Sequence, residues 1–199
     1  MKPIALMLIT LLAAACVTSR RPSVQYDLGD FSAVRPQTAL LSAKLVIREV
    51  VPPSWLRTRN IYYRLDYAAP PHPQRYASSQ WLATPGELVT VRLREVVAAA
   101  NAGFTLSSTD GADSYVLQTS LEQFIQAFPA PGESHCIVQM RASLWRAADQ
   151  ILAQREFRVD VPASHPNASG AADCLASAVN RESADIVAWL STETAAAGR

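Results

Sequence analysis

Two consecutive runs of alternating apolar and polar residues constrain the fold of this chain most strongly. The first run covers 138–144 and the second covers 151–161, with residues 147–150 between them. A period of two places every second side chain on one face of a strand. Two such strands joined by a short polar connection form a hairpin with one apolar face. The chain therefore has to build a β-sheet that buries one side against a second layer.

Four further segments are predicted to be strands. Lys44 to Val51 is a compact run of β-branched residues, and apolar residues alternate with polar ones from Ile61 to Tyr67. Tyr115 to Phe124 is expected to precede the hairpin, and Arg75 to Trp81 is expected to form a short strand before the first helix. Strands therefore occur along most of the chain.

The first helix is marked at both ends. Thr84-Pro85-Gly86-Glu87 supplies a capping hydroxyl, a proline at the first helical position and a glutamate three residues after the cap, which together make a capping box. Asn101-Ala102-Gly103 is expected to end the helix, with the glycine in the left-handed conformation. The apolar residues that follow the cap at helical spacing are Val89, Leu93, Val96, Val97 and Ala100.

A second helix is predicted from about Ala171 to Leu190. Its apolar side carries Leu175, Ala178, Val179, Ile186, Val187 and Leu190. Strands grouped before and after two amphipathic helices predict an α/β (α+β) fold, a two-layer sandwich with a mixed, mainly antiparallel sheet.

Cys16 closes a short apolar N-terminal run that has the organisation of a signal peptide. One positive charge, Lys2, precedes the apolar stretch, and three alanines lead into the cysteine. The stretch is shorter than the roughly 20 residues that a membrane-spanning helix needs, so we expect cleavage and not a retained span. An ordinary secretory signal, which also ends in small residues, is the alternative to a lipoprotein signal.

The sequence Leu12-Ala13-Ala14-Ala15-Cys16 resembles the end of a bacterial lipoprotein signal. This resemblance implies that residues 1–15 are removed and that Cys16 is acylated as the first residue of the mature chain. Each buried methylene of an acyl chain contributes about 0.8 kcal/mol, so a multiply acylated cysteine anchors firmly. Lipoproteins of this kind that stay in the inner membrane tend to carry aspartate after the cysteine, where Val17 is found here. The resemblance therefore points to the periplasmic face of the outer membrane.

The length and charge of the chain favour one neutral domain. Residues 16–23 are expected to form the lipidated cysteine and a polar tether, 24–191 a single domain and 192–199 a flexible tail. The chain has 18 basic and 17 acidic residues, and cleavage would remove only one of them, Lys2. This balance lacks the basic footprint of a nucleic-acid-binding protein.

Cys136 and Cys174 are the two cysteines of the mature chain besides Cys16, which is expected to be acylated. Disulfides form and persist outside the cytosol, so this even pair favours a Cys136–Cys174 bridge. Such a bridge would contribute about 3 to 4 kcal/mol in the chain-entropy model. Two buried thiols that never meet are the alternative.

The sequence lacks the common motifs of catalysis. The histidines His72, His135 and His165 have no metal-binding spacing with each other or with the cysteines. Neither a zinc-protease motif, a nucleophile elbow nor a phosphate-binding glycine loop occurs. We therefore expect no catalytic residue, no metal and no cofactor.

A proline-led turn and the strand after it carry a candidate partner surface. Its residues are Trp55, Arg57, Arg59, Tyr62 and Arg64. Tryptophan, tyrosine and arginine are enriched where proteins bind each other, and the same groups can bind phosphate head groups. The alternative is that the aromatic rings fill the core while the arginines lie on solvated strand edges.

Several short motifs, taken in order, carry a resemblance to a known family. They are Tyr26-Asp27-Leu28-Gly29, Val46-Ile47-Arg48-Glu49-Val50, Pro53-Ser54-Trp55-Leu56-Arg57 running into Ile61-Tyr62-Tyr63-Arg64, and Trp81 before the capped helix. Over most of the mature domain this set resembles the ABC-type transport auxiliary lipoproteins, the PqiC-like group.

The resemblance implies a non-enzymatic accessory subunit of an envelope lipid-transport system. Its partners would be an inner-membrane ABC transporter and an MCE-domain periplasmic protein, and several copies could form a homo-oligomer. Two other functions stay open at this point. One is an assembly or pilot lipoprotein of a different outer-membrane complex, and the other is a lipid-anchored hydrolase.

Overall fold

A computed structural model of the chain describes residues 23–31, 44–100, 114–146 and 150–197. Within these ranges a seven-stranded mixed sheet packs against two helices, so the predicted α+β class is confirmed. The strands are β1 (Val24–Tyr26), β2 (Leu45–Ile47), β3 (Asn60–Leu65), β4 (Pro73–Trp81), β5 (Tyr115–Ala130), β6 (Glu133–Arg146) and β7 (Gln150–Pro162). The helices are α1 (Pro85–Ala99) and α2 (Ala168–Ala197).

Strands β5, β6 and β7 form an antiparallel meander, which includes the predicted hairpin. Val138 on β6 lies opposite Phe124 on β5 and Val159 on β7. Gly132, with φ of 83°, lies in the turn between β5 and β6, where a side chain would strain the backbone. Strand β5 is longer than predicted and continues to Ala130. Of the expected connection 147–150, residues 147–149 lie outside the described residues and Gln150 already belongs to β7.

The other edge of β5 is shared by two short parallel strands. Strand β2 pairs with the start of β5 and β3 pairs with its end. Between them Val51 makes a single bridge to Ser120, so the predicted strand from Lys44 to Val51 is interrupted after Ile47. Strand β4 is antiparallel to β3, and β1, which the sequence did not predict as a strand, is parallel to β4.

Helix α1 has the predicted capping box. The Thr84 hydroxyl accepts a hydrogen bond from the Glu87 backbone N–H, and the Glu87 carboxylate accepts one from the Thr84 N–H at 2.8 Å. All five predicted apolar residues of the helix are buried. The helix itself ends at Ala99, and the expected stop at Asn101-Ala102-Gly103 lies outside the described residues.

Helix α2 is longer than predicted at both ends. At its start the Asn167 side chain accepts a hydrogen bond from the Gly170 N–H at 2.9 Å. At its end residues 192–197 are helical and not a tail, which corrects the expectation for that segment. Ala197 packs against the core, and its carbonyl accepts a hydrogen bond from Arg146 on β6 at 3.5 Å. These contacts with the body of the domain explain why the helix continues.

The main core lies between one face of the sheet and the two helices. Two aromatic contacts mark its extent: Trp81 packs on Phe124 with ring centroids 5.4 Å apart, and Phe157 packs on Trp189 at 5.7 Å. Burial of a side chain of this size contributes about 1.5 to 3 kcal/mol. The opposite face of the sheet, called the outer face below, carries most of the residues of the candidate partner surface.

Candidate functional site

The candidate partner surface begins at a 3-10 turn, Ser54–Leu56. Leu56 is fully buried in the main core, and its backbone N–H donates to the Pro53 carbonyl at 3.0 Å. The buried leucine therefore fixes the turn on the domain while its neighbours Trp55 and Arg57 stay at least partly exposed.

Trp55 and Tyr62 come together on the outer face. Their rings meet edge to face, with centroids 5.2 Å apart and an interplanar angle of 78°. Beneath them lies a second, small apolar cluster formed by Ile125, Ala127 and Ile137. Both rings remain half-buried: they cover a core, and one side of each is still accessible. The partner surface stays a prediction.

The three arginines of the candidate surface point to different partners. The Arg57 Nε donates to the Pro52 carbonyl at 3.4 Å, and the Arg59 Nε donates to the Trp81 carbonyl at 2.8 Å. Arg64 forms an ion pair with Asp66 near the far end of β3. The structure therefore brings the two aromatic side chains together but disperses the arginines.

A groove of about 390 Å³ lies between the loop before the 3-10 turn and the start of α1. Its apolar wall includes Val51, which is 47% exposed, and Val91, which is 55% exposed. Arg57 and Arg94 lie at the same groove. The groove therefore combines an apolar wall with positively charged guanidinium groups beside it.

Gly86 and Thr90 hold this groove in shape. The Val50 N–H donates to the Thr90 hydroxyl at 2.9 Å, and that hydroxyl donates to the Gly86 carbonyl at 2.6 Å. A Cβ on Gly86 would lie 3.0 Å from both the Pro52 ring and the Val50 carbonyl oxygen, so only glycine fits without movement. Sequence reasoning missed both residues, although Thr90 is a polar interruption in an otherwise apolar helix face.

A buried arginine ties the start of the domain to both helices. Arg92 on α1 is 3% exposed and lies near Asn180 on α2, to which its guanidinium donates. It also donates to the Leu28 carbonyl at 3.1 Å and to the Gly29 carbonyl. Glu95 balances its charge at 3.1 Å. Of these partners only Glu95 is close to Arg92 in sequence; Asn180 and the two backbone carbonyls lie far away in the chain, so a short window of sequence does not predict the contact set.

The two cysteines of the folded domain are joined in the structure. Cys136 on β6 and Cys174 on α2 form a disulfide with Cα atoms 5.7 Å apart and a sequence separation of 38. Both residues belong to the main core. The bridge therefore links the helix layer to the sheet layer at the start of α2.

Glu182 is the most perturbed acid of the described residues. It is fully buried on the side of α2 that faces the sheet, and neither carboxylate oxygen has a hydrogen-bond partner within ordinary distance. Burial raises the pKa of Glu182 to about 8, and Asp185 contributes in the same direction. The Met140 backbone and the positive charge of Arg158 lower the pKa of Glu182, but by less than burial raises it. An acid with this pKa is largely protonated at neutral pH.

A second perturbed group lies on the sheet. Burial and the neighbouring Tyr63 raise the pKa of Tyr76 to about 12, and the Tyr76 hydroxyl donates to the Gln126 side chain at 2.6 Å.

In the parts of the chain that the structure describes, no group of three or more acidic, histidine or cysteine side chains could hold a metal ion. The helices in those parts are also too short or too polar to span a bilayer.

Comparison with known proteins identifies the class of this chain. Residues 26–187 match the model of the family described as ABC-type transport auxiliary lipoprotein component. Because the match covers most of the sequence, the chain belongs to this family, and the resemblance drawn from its motifs is confirmed. Membership implies a lipid-anchored location in the cell envelope and an association with an ABC transporter.

Solved structures share this fold at low sequence identity. Protein XCC0632 from Xanthomonas campestris is 14% identical, with a TM-score of 0.68 over 89% of this chain and 96% of its own. The hypothetical protein CT253 from Chlamydia trachomatis is 6% identical, with a TM-score of 0.54 over 78% of this chain and 99% of its own. A search of curated proteins found no match.

Proposed function

We propose that the chain is a lipoprotein of the outer membrane that serves an ABC/MCE-type lipid-transport system as a non-enzymatic accessory subunit. The observation that carries this proposal is the family match over residues 26–187. The family description supplies the ABC transporter and the lipoprotein character. The outer membrane, the MCE-domain partner and the lipid cargo are the finer parts of the proposal.

The proposed anchor is Cys16, acylated after removal of residues 1–15. The small residues before it and Val17 after it support this assignment and an outer-membrane address. The seven residues of the tether between Cys16 and Val24 would let the domain stand away from the bilayer, since an extended chain covers about 3.3 Å per residue. A domain held in this way works by presenting a surface to its partners.

The proposed contact surface consists of the half-buried Trp55 and Tyr62 together with the groove beside them. The loop that carries Trp55 also carries Arg57, which lines the groove with the exposed Val51 and Val91. Protein interfaces concentrate their binding energy in aromatic and arginine residues set among apolar neighbours. The composition of this surface therefore suits a protein partner, in agreement with an accessory role.

Affinity purification of the full-length chain from detergent-solubilised membranes tests the proposal. An ABC transporter subunit and an MCE-domain protein should be recovered with the wild-type chain. Arg57→Glu should reduce their recovery, whereas Arg181→Glu, an exposed substitution on α2, should leave it unchanged. Recovery of components of a different outer-membrane assembly, with neither expected subunit present, would overturn the proposal.

A further inference from the structure

Strand β7 is the last strand of the sheet that the described residues form. It pairs with β6 from Gln150 to Pro162, and no other strand among the described residues pairs with its opposite side. The backbone N–H and C=O groups along such an edge can accept another strand. Proteins usually limit this pairing with charged side chains, and β7 carries four: Arg155, Glu156, Arg158 and Asp160.

The contacts of β7 show which side chains share a face. Glu156 accepts a hydrogen bond from Arg141 at 3.1 Å, and Arg158 donates to Gln139 at 2.9 Å, so both lie on the outer face. Phe157 lies between them and packs on Trp189 of α2, on the helix side of the sheet. The outer face therefore carries a negative charge just before the position of Phe157 along the strand and a positive charge just after it.

This arrangement matches itself under a two-fold rotation. In an antiparallel pair, residues directly opposite each other point to the same face. If two copies of β7 pair about a two-fold axis at Phe157, Glu156 of each copy lies opposite Arg158 of the other. Opposite charges in this position attract, and like charges repel.

Other symmetric registers are less favourable. An axis at Glu156 sets the two glutamates against each other, and an axis at Arg158 does the same with the two arginines. An axis at Val159 pairs Arg158 with Asp160, but the paired segment shrinks to 156–162 and includes Pro162, which has no N–H to donate. The axis at Phe157 keeps 153–161 paired.

We propose that two copies of this chain join their sheets through β7, in an antiparallel and two-fold symmetric ladder centred on Phe157. A second copy is the occupant because the charges on the edge complement their own rotated image, as a two-fold interface requires. The surface beside the edge supports this. A groove of about 560 Å³ between β7 and α2 carries charges of both signs, with Arg155 on one side and Asp185 and Glu193 on the other.

Charge reversal with rescue tests this proposal on the full-length chain in a non-ionic detergent. Sedimentation velocity over a concentration series should show a monomer–dimer equilibrium for the wild type. Glu156→Arg and Arg158→Glu alone should each raise the dimer Kd about tenfold or more, because two attractive pairs become repulsive. The double variant should return the Kd to near the wild-type value.

The double variant shows whether the single substitutions act on the contact between copies or on contacts inside one chain. The double variant still places an arginine at position 156 beside Arg141, so the internal ion pair is not restored and only the contact between copies is. Asp160→Arg is the matched control, because in this register Asp160 faces Gln154 of the second copy, and the Kd should not change. Circular dichroism melting would verify that each variant is folded.

Three results would overturn the proposal. They are a wild-type chain that stays monomeric at every concentration, a folded double variant that does not regain the dimer, and a dimer that Asp160→Arg dissociates. The last result would indicate the register centred on Val159.

Discussion

Glu182→Gln should abolish a large pH dependence of stability. The carboxyl is fully buried with no hydrogen-bond partner at ordinary distance, and its pKa of about 8 in the folded chain compares with 4.5 for the free side chain. Because the folded state binds the proton more tightly, it is favoured fully below pH 4.5, and this contribution is lost as the pH rises to 8. Inside that window each increase of one pH unit lowers the free energy of unfolding by about 1.4 kcal/mol.

The size of the effect follows from this window. The free energy of unfolding of the wild type should fall by about 3 kcal/mol between pH 4.5 and 7 from this group alone, and by about 4 kcal/mol by pH 8. Glutamine has nearly the same shape and no charge, so its variant lacks this slope. The difference between the two chains should therefore grow with pH, in favour of the variant.

Guanidinium unfolding, followed by tryptophan fluorescence from pH 5 to pH 8.5 with the disulfide intact, measures this difference. Other titrating groups contribute equally to both chains, so subtraction isolates Glu182. Since a buried glutamine amide is also unpaired, Glu182→Met serves as a second variant without a buried polar group, and it should be at least as stable as Glu182→Gln at every pH. Parallel pH curves for the wild type and both variants would refute the argument that Glu182 is buried and protonated.

Three further experiments test separate features. Cys16→Ala should leave a folded domain that no longer fractionates with membranes, and membrane association of that variant in a cell fractionation would contradict lipidation. Replacing Cys136 and Cys174 by alanine should lower the free energy of unfolding by about 3 to 4 kcal/mol, as measured by urea unfolding; an unchanged midpoint would contradict the stabilising bridge. Gly86→Ala should cost about 1 to 3 kcal/mol, because its Cβ would meet Pro52 and the Val50 carbonyl, whereas Ala99→Gly, on an exposed part of α1, should cost about 1 kcal/mol or less in the same assay.

Local patterns predicted much of the fold. The alternation on β6 and β7, the capping box at Thr84 and the apolar stripe of α1 each depend on residues close in sequence, so each could be identified from a short window. The parallel pairing of β2 and β3 with one edge of β5 could not, because partners such as Val46 and Val116 lie far apart in the chain. The short β1 has too few residues for a periodic pattern.

The candidate site was predictable in the same limited sense. The composition around Trp55 indicated a surface with interface character, and the structure unites Trp55 with Tyr62. The dispersal of Arg57, Arg59 and Arg64 depends on backbone carbonyls and on Asp66, which composition does not specify. Glu182 lay hidden for a related reason, since a single acid on a helix is normally assigned to the solvent side.

The contacts of Arg92 have a mechanical consequence for a tethered domain. Strand β1 is only three residues long and pairs at an edge of the sheet, so on its own it would peel away under a pull from the membrane side. The segment after β1 is held at Leu28 and Gly29 by a buried guanidinium that also binds α2. A load on the anchor would therefore be carried into the helix layer, which the disulfide at Cys174 fastens to the sheet. The proposed contact surface would therefore keep its shape while the proposed anchor moves in the bilayer.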